Sequence, residues 1–183
     1  MNLTNHFLIA MPNLADPNFH RTVTYVCAHN DDGAMGIVIN RPMDLRLGEV
    51  LKHMDLKVDD PAVSERPVLE GGPVQRERGF VLHEPAGEWD SVLQVEDGVA
   101  VATSRDILAA VACGEGPDRT AVALGYAGWA AGQLEHEVLA NAWLSGPADP
   151  SIIFDLPFQA RWESAALLLG VDVERLSGEA GHA

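Results

Sequence analysis

The order of apolar and polar positions along the chain predicts strands arranged in hairpins, with single helices between them. Thr22-Val23-Thr24-Tyr25-Val26-Cys27-Ala28 is rich in β-branched and aromatic residues and is apolar on both faces, the pattern of a largely buried strand. Asn30-Asp31-Asp32-Gly33 follows as a four-residue turn, and Ala34 to Ile39 completes a hairpin. After the Asn40-Arg41-Pro42 break, Leu47, Val50, Leu51 and Met54 recur at helical spacing and predict a short amphipathic helix. Val68 to Val74 and Gly79 to His83 read as a second strand pair, with the polar run Gln75-Arg76-Glu77-Arg78 as a turn or exposed edge between them.

The second half repeats this grammar. Ser91 to Val95 and Val99 to Thr103 flank Glu96-Asp97-Gly98, another hairpin signal. Ser104 offers an N-cap, Asp106 sits in the first turn and Gly114 supplies a stop, so Ser104 to Cys113 is expected to be helical. Thr120 to Leu124 is a strand. Ala131, Leu134 and Val138 mark a short helix. Phe158, Trp162, Ala165, Ala166 and Leu169 mark a stronger one, opened by Asp155 and Pro157 and closed by Gly170. Ser177 to Ala183 reads as a loose tail. Hairpins with interspersed helices disfavour a regular βαβ array. They predict one α+β domain over residues 1–183 with a mixed, mostly antiparallel sheet.

Composition adds a partner constraint. Lys and Arg total 12 against 27 Asp and Glu, a formal net charge of −15. Such a surface repels polyphosphates and anionic lipid, which argues against nucleic acid or a membrane as partner. The two cysteines suit a reducing compartment, and the amino terminus carries neither the basic segment nor the long apolar segment of an export signal, so a cytosolic location is expected.

The sequence carries no cofactor or metal motif. Lys52 and Lys57 lie outside any phosphate loop. Gly125, Gly128 and Gly132 are not spaced as a dinucleotide turn, and no nucleophile elbow occurs. The seven histidines are scattered, leaving only a folded assembly such as His29 with Asp31 or Asp32 as a metal site. Glu135 and Glu137 flank His136, but residues two apart diverge on a helix, so a solvated face is expected. Cys27 lies in an apolar strand and Cys113 at a helix carboxyl end, and both thiols are expected to react slowly.

More informative are segments where Gly and Pro meet the few cations: Asp16 to Thr22, Asn40-Arg41-Pro42 and Gly71-Gly72-Pro73-Val74. Their ordinary use is turn geometry, with arginines tied to carboxylates. Their functional use is a pocket for a small anion, with Arg21, Asn40, Arg41 and the Gly71-Gly72 turn as binding residues. Gly125-Tyr126-Ala127-Gly128-Trp129 supplies a wall through Tyr126 and Trp129, or else fills core.

These segments, with Gly33-Ala34-Met35-Gly36, Gly79-Phe80-Val81-Leu82-His83, Thr103-Ser104-Arg105-Asp106, Gln133-Leu134-Glu135 and Asn141-Ala142-Trp143, occur in the order that resembles the YqgE/AlgH family of bacterial proteins. Thr22 stands where that family often has Ser, which keeps the hydroxyl. The resemblance implies an α+β fold whose sheet curls into a pseudo-barrel with flanking helices. It implies no catalytic residues, and one branch is linked to regulation of alginate synthesis. The leading expectation is a cytosolic, non-enzymatic regulatory or interaction protein with a protein partner, its regulation linked to transcription. The alternative is an enzyme or sensor for a small anionic metabolite.

Overall fold

The computed structural model describes residues 1–11, 16–17, 19–96 and 98–171, so the expected tail lies outside it. The fold is α+β with a hairpin-rich, mostly antiparallel sheet, as expected. The chain divides into two compact units: Met1–Asn40 with the described residues of Ala127–Ala183, and Arg41–Tyr126.

The first unit is built on β1 (His6–Ala10), β2 (Val23–Asn30), β3 (Gly33–Val38) and β10 (Trp143–Pro147). β1 lies between β10 and β2, and β3 pairs with β2, all antiparallel. The β2–β3 hairpin turns more tightly than expected: Asn30 and Gly33 are still paired, which leaves only Asp31 and Asp32 at the tip. Gly33 is required there, because at φ +141 an added Cβ would stand 2.3 Å from the Trp129 carbonyl oxygen. Leu8, Ala10, Val26, Trp129 and Trp143 form a core with Leu134 of α4 (Gln133–Leu139). α5 (Pro150–Phe154) leads into α6 (Phe158–Leu168), which packs on β1 and β2.

The second unit begins with β4 (Pro42–Arg46), a strand the sequence reading did not include, followed by α1 (Leu47–His53) and the one-turn α2 (Pro61–Ser64). Beyond these come β5 (Pro67–Glu70), β6 (Val74–Glu84), β7 (Val92–Glu96), β8 (Val99–Ala102) and α3 (Arg105–Ala112). Leu47, Leu51, Val63, Val68, Val81, Ile107 and Val111 are its core. Each such side chain withdrawn from water contributes about 1.5–3 kcal/mol. α3 starts at Ser104 and stops at Cys113 as predicted, and Arg105 Nη2 donates to the Met54 carbonyl just beyond α1 at 2.9 Å.

One strand pairing is corrected. β5 and β6 do not pair with each other; both flank β9 (Arg119–Ala130), β5 in parallel and β6 antiparallel. The reason lies in β9, which continues well past Leu124 and offers an edge to each. Gln75, Arg76, Glu77 and Arg78 are exposed, as the polar run predicts, but form the bulged start of β6 and not a turn: Val74 faces Tyr126 and Gly79 faces Leu124, with the extra residues opposite no β9 partner. The last residues of β9, Ala127–Ala130, pair with β3 in the first unit.

Candidate functional site

The candidate residues fall into two sets, one per unit. Arg21, Asn40 and Trp129 belong to the first; Arg41, Gly71, Gly72 and Tyr126 belong to the second.

In the first set, Arg21 and Asn40 meet directly. Arg21 adopts φ +54 at the end of a turn in which the Thr22 amide and hydroxyl both donate to the Phe19 carbonyl. That conformation is uncommon for a residue with a side chain. It is secured by Asn40, whose Nδ2 donates to the Arg21 carbonyl and whose Oδ1 accepts from the Val23 amide, both at 2.9 Å. The Asn40 amide thus extends the β2–β3 ladder past its last backbone bond, in which the Ile39 amide donates to the Val23 carbonyl. The Arg21 guanidinium is free to lie over the Trp162 ring, with Cζ 5.1 Å from the centroid.

The neighbouring carbonyl, that of Ile39, is held by a residue the sequence reading passed over. Arg161 is 4% exposed, donates from Nη1 to Ile39 at 2.6 Å and from Nε to the Leu156 carbonyl at 3.0 Å, and stacks 4.5 Å over Phe158. Burial pulls its guanidinium down to about 10, partly opposed by the field of Asp155, so it remains charged at neutral pH. A signal existed: Arg161 sits three residues after Phe158 and four before Ala165, on the face otherwise read as apolar.

Trp129 is a core residue. It stacks on Phe19 at 6.3 Å and meets Trp143 edge-on at 6.1 Å, while Phe19 meets Trp143 at 5.4 Å. This triad anchors Phe19, and with it the turn it shares with Thr22, to the sheet of its unit.

In the second set, the glycines are where backbone meets backbone. The Gly71 amide donates to the Leu124 carbonyl at 2.8 Å, and a Cβ on Gly71 would stand 2.3 Å from the Gly125 carbonyl oxygen. A Cβ on Gly125, at φ +79, would stand 2.4 Å from the Gly72 carbonyl oxygen. Tyr126 packs edge-on against Phe80 at 5.6 Å, and the Arg41 carbonyl accepts from the Glu70 amide at 2.8 Å.

Two further groupings were missed. The His29 imidazole accepts at Nδ1 from the Leu3 amide (2.9 Å) and reaches Glu135 Oε1 from Nε2 (2.7 Å). The first bond fixes the tautomer, so Nε2 donates, and that hydrogen bond holds the Glu135 carboxyl below its usual range. Both ring nitrogens are engaged, which takes His29 away from Asp31 and Asp32 and takes Glu135 out of the purely solvated face expected for it. Separately, Arg46, Lys52 and Lys57 converge on one open cavity of the second unit. The cysteines divide: Cys27 is buried, with its thiol pushed far up by desolvation, whereas Cys113 is exposed, so slow reaction is expected of Cys27 alone.

Comparison with known proteins places this geometry in a family. The AlgH-like family matches residues 7–174. A UPF0301 protein of Thioalkalivibrio sulfidiphilus is 62% identical over 182 residues, covering 100% of this chain and 97% of its own. A UPF0301 protein of Nitrosococcus oceani is 59% identical over 179 residues, covering 98% and 96%. Among solved structures, the solution structure of the AlgH protein from Pseudomonas aeruginosa is 50% identical, covers 100% of this chain and 97% of its own, and superposes with a TM-score of 0.82. A Corynebacterium diphtheriae protein at 19% identity shares the fold, with a TM-score of 0.70 over 88% of this chain and 84% of its own.

Proposed function

The chain belongs to the AlgH-like family, and from that premise we propose that it is a cytosolic, non-enzymatic regulatory protein that works by binding a protein partner. The supporting observation is how the residues that carry the family pattern are used. Asn40, Gly71, Gly125, Tyr126 and Trp129 are spent on backbone clamps, close approaches and core. The chain as a whole carries a formal net charge of −15, which favours a partner with a basic face. Any effect on transcription is then exerted through that partner rather than through DNA, whose phosphates this surface repels. Affinity capture from native lysate at low salt is the test: a reproducible partner that elutes as salt is raised supports the reading, because screening weakens a charge-steered contact.

The exposed guanidinium of Arg21 over Trp162 favours a second reading, a sensor or enzyme for a small anion bound at Arg21. A ligand at about 100 times its Kd adds about 2.7 kcal/mol of stability. A thermal shift that survives in Arg21→Ala removes Arg21 from such a site.

A further inference from the structure

We propose that the cavity between α1 and α2 is a binding site for a small phosphomonoester, with Arg46, Lys52 and Lys57 as its anion-binding residues. The cavity encloses about 480 Å³ and opens to solvent, within the range of metabolite pockets. Its cations are unusual in this chain, which has 12 in 183 residues; Lys52 and Lys57 are its only lysines, and both line this one space.

The local sequence folds so as to bring them together. Arg46 caps α1, and Lys52 sits in its last turn. The chain then reverses: the Asp55 amide donates to the Lys52 carbonyl, Asp55 takes φ +58, and the Leu56 amide donates back to Leu51. Beyond the reversal, Leu56, Lys57, Val58 and Asp59 line the cavity together with α1. α2 contributes Ser64 to the lining, packed against Gly48 of α1, where an added Cβ would stand 2.9 Å from the Ser64 Cβ.

Two carboxylates also line the space, Glu49 and Asp59. Glu49 is partly committed, accepting from the Arg46 amide at 2.8 Å. Among the described residues no carboxylate forms an ion pair with Arg46, Lys52 or Lys57, so their charge is available to a ligand. Three cations arranged around a cavity suit a compact dianion such as a phosphate group. Leu56 and Val58 supply apolar surface for the body of the ligand. The −15 charge of the whole chain sets the size limit: a polyanion feels the long-range repulsion, whereas a small phosphomonoester in the cavity meets a lining of three cations and two carboxylates, a net positive charge.

This site is separate from the partner-binding reading, and its test uses purified full-length protein without a partner, so either can fail alone. Amide NMR shifts are followed while phenyl phosphate, and in parallel inorganic phosphate, is added at constant ionic strength. The expected result is saturable shifts centred on Gly48, Lys52, Lys57 and Ser64, with phenyl phosphate binding about 10-fold tighter than inorganic phosphate because its ring covers Leu56 and Val58. The double variant Lys52→Gln, Lys57→Gln is expected to lose at least about 10-fold in affinity with an otherwise unchanged spectrum, whereas Arg76→Gln, an exposed cation on β6, loses little. Absence of saturable shifts in this segment up to about 50 mM of either probe would overturn the site, since binding that weak lies below even about −2 kcal/mol. Equal affinity in the double variant would overturn the role of the lysines, and with it the proposal.

Discussion

Asn40 holds two chain segments with one side chain, and its removal measures what that clamp is worth. Asn40→Ala leaves the Val23 amide, on a fully buried residue, without its acceptor and frees the Arg21 carbonyl. The expected cost is about 1–3 kcal/mol, read as a lower denaturant midpoint with an unchanged slope. Gly125→Ala should cost at least as much, about 3 kcal/mol, because a positive φ and a 2.4 Å approach to a backbone oxygen cannot be relieved by rotating a side chain. His83 sets a pH dependence. It is fully buried, donates from Nδ1 to the Pro85 carbonyl and has no hydrogen-bond partner at Nε2. Burial pulls its imidazole below the ordinary 6.5, against the opposing effect of that carbonyl. The unfolded chain therefore takes up a proton that the folded chain refuses. The His83 contribution is complete above about pH 6.5 and declines as pH falls from there toward the folded value. His83→Phe is expected to flatten the stability profile as pH falls below about 6.5; an unchanged slope assigns the dependence to other groups.

At the scale of elements, α6 is fastened through one buried cation. Arg161→Met removes both bonds to the Ile39 and Leu156 carbonyls and is expected to cost about 3 kcal/mol in denaturant unfolding. Arg161→Lys should recover only part, because an ammonium cannot fork between two carbonyls while lying flat on Phe158. Element by element, what the sequence revealed were local signals: the Asp31-Asp32 tip, the Ser104 cap and Gly114 stop of α3, and the periodicity of α1 and α6. Strand partners were less legible. β5 and β6 look like neighbours because they are close in sequence, yet β9 separates them through pairings 35 to 54 residues away that no local pattern encodes. β10 and α5 were passed over although α5 has a local start signal: Asp149 accepts from the Ser151 amide and Pro150 follows it. The candidate residues were legible as backbone-special positions. Their partners were not, since the Arg161 guanidinium and the Ile39 carbonyl are 122 residues apart.

For the whole molecule, exposure and charge decide what a reagent or partner meets. A thiol reagent at neutral pH should label Cys113 readily and Cys27 only on unfolding, a two-step time course in place of uniform protection. Among the described residues no helix is long and apolar enough to cross a membrane. The −15 charge retains its meaning and gains a location: three of the 12 cations stand in one cavity, and Arg161 is buried within α6, so the rest of the surface is more acidic than the total suggests. Such a surface suits docking to a basic partner. The central claim is that this protein acts by binding rather than by turnover, and it is tested most directly by dividing one lysate into its protein and small-molecule fractions. The purified protein is offered to each. A reproducible partner, released as salt is raised, with a small-molecule fraction unchanged over time by mass spectrometry, is the predicted result. Progressive consumption of a metabolite at substoichiometric protein, with no reproducible partner captured, would contradict the account.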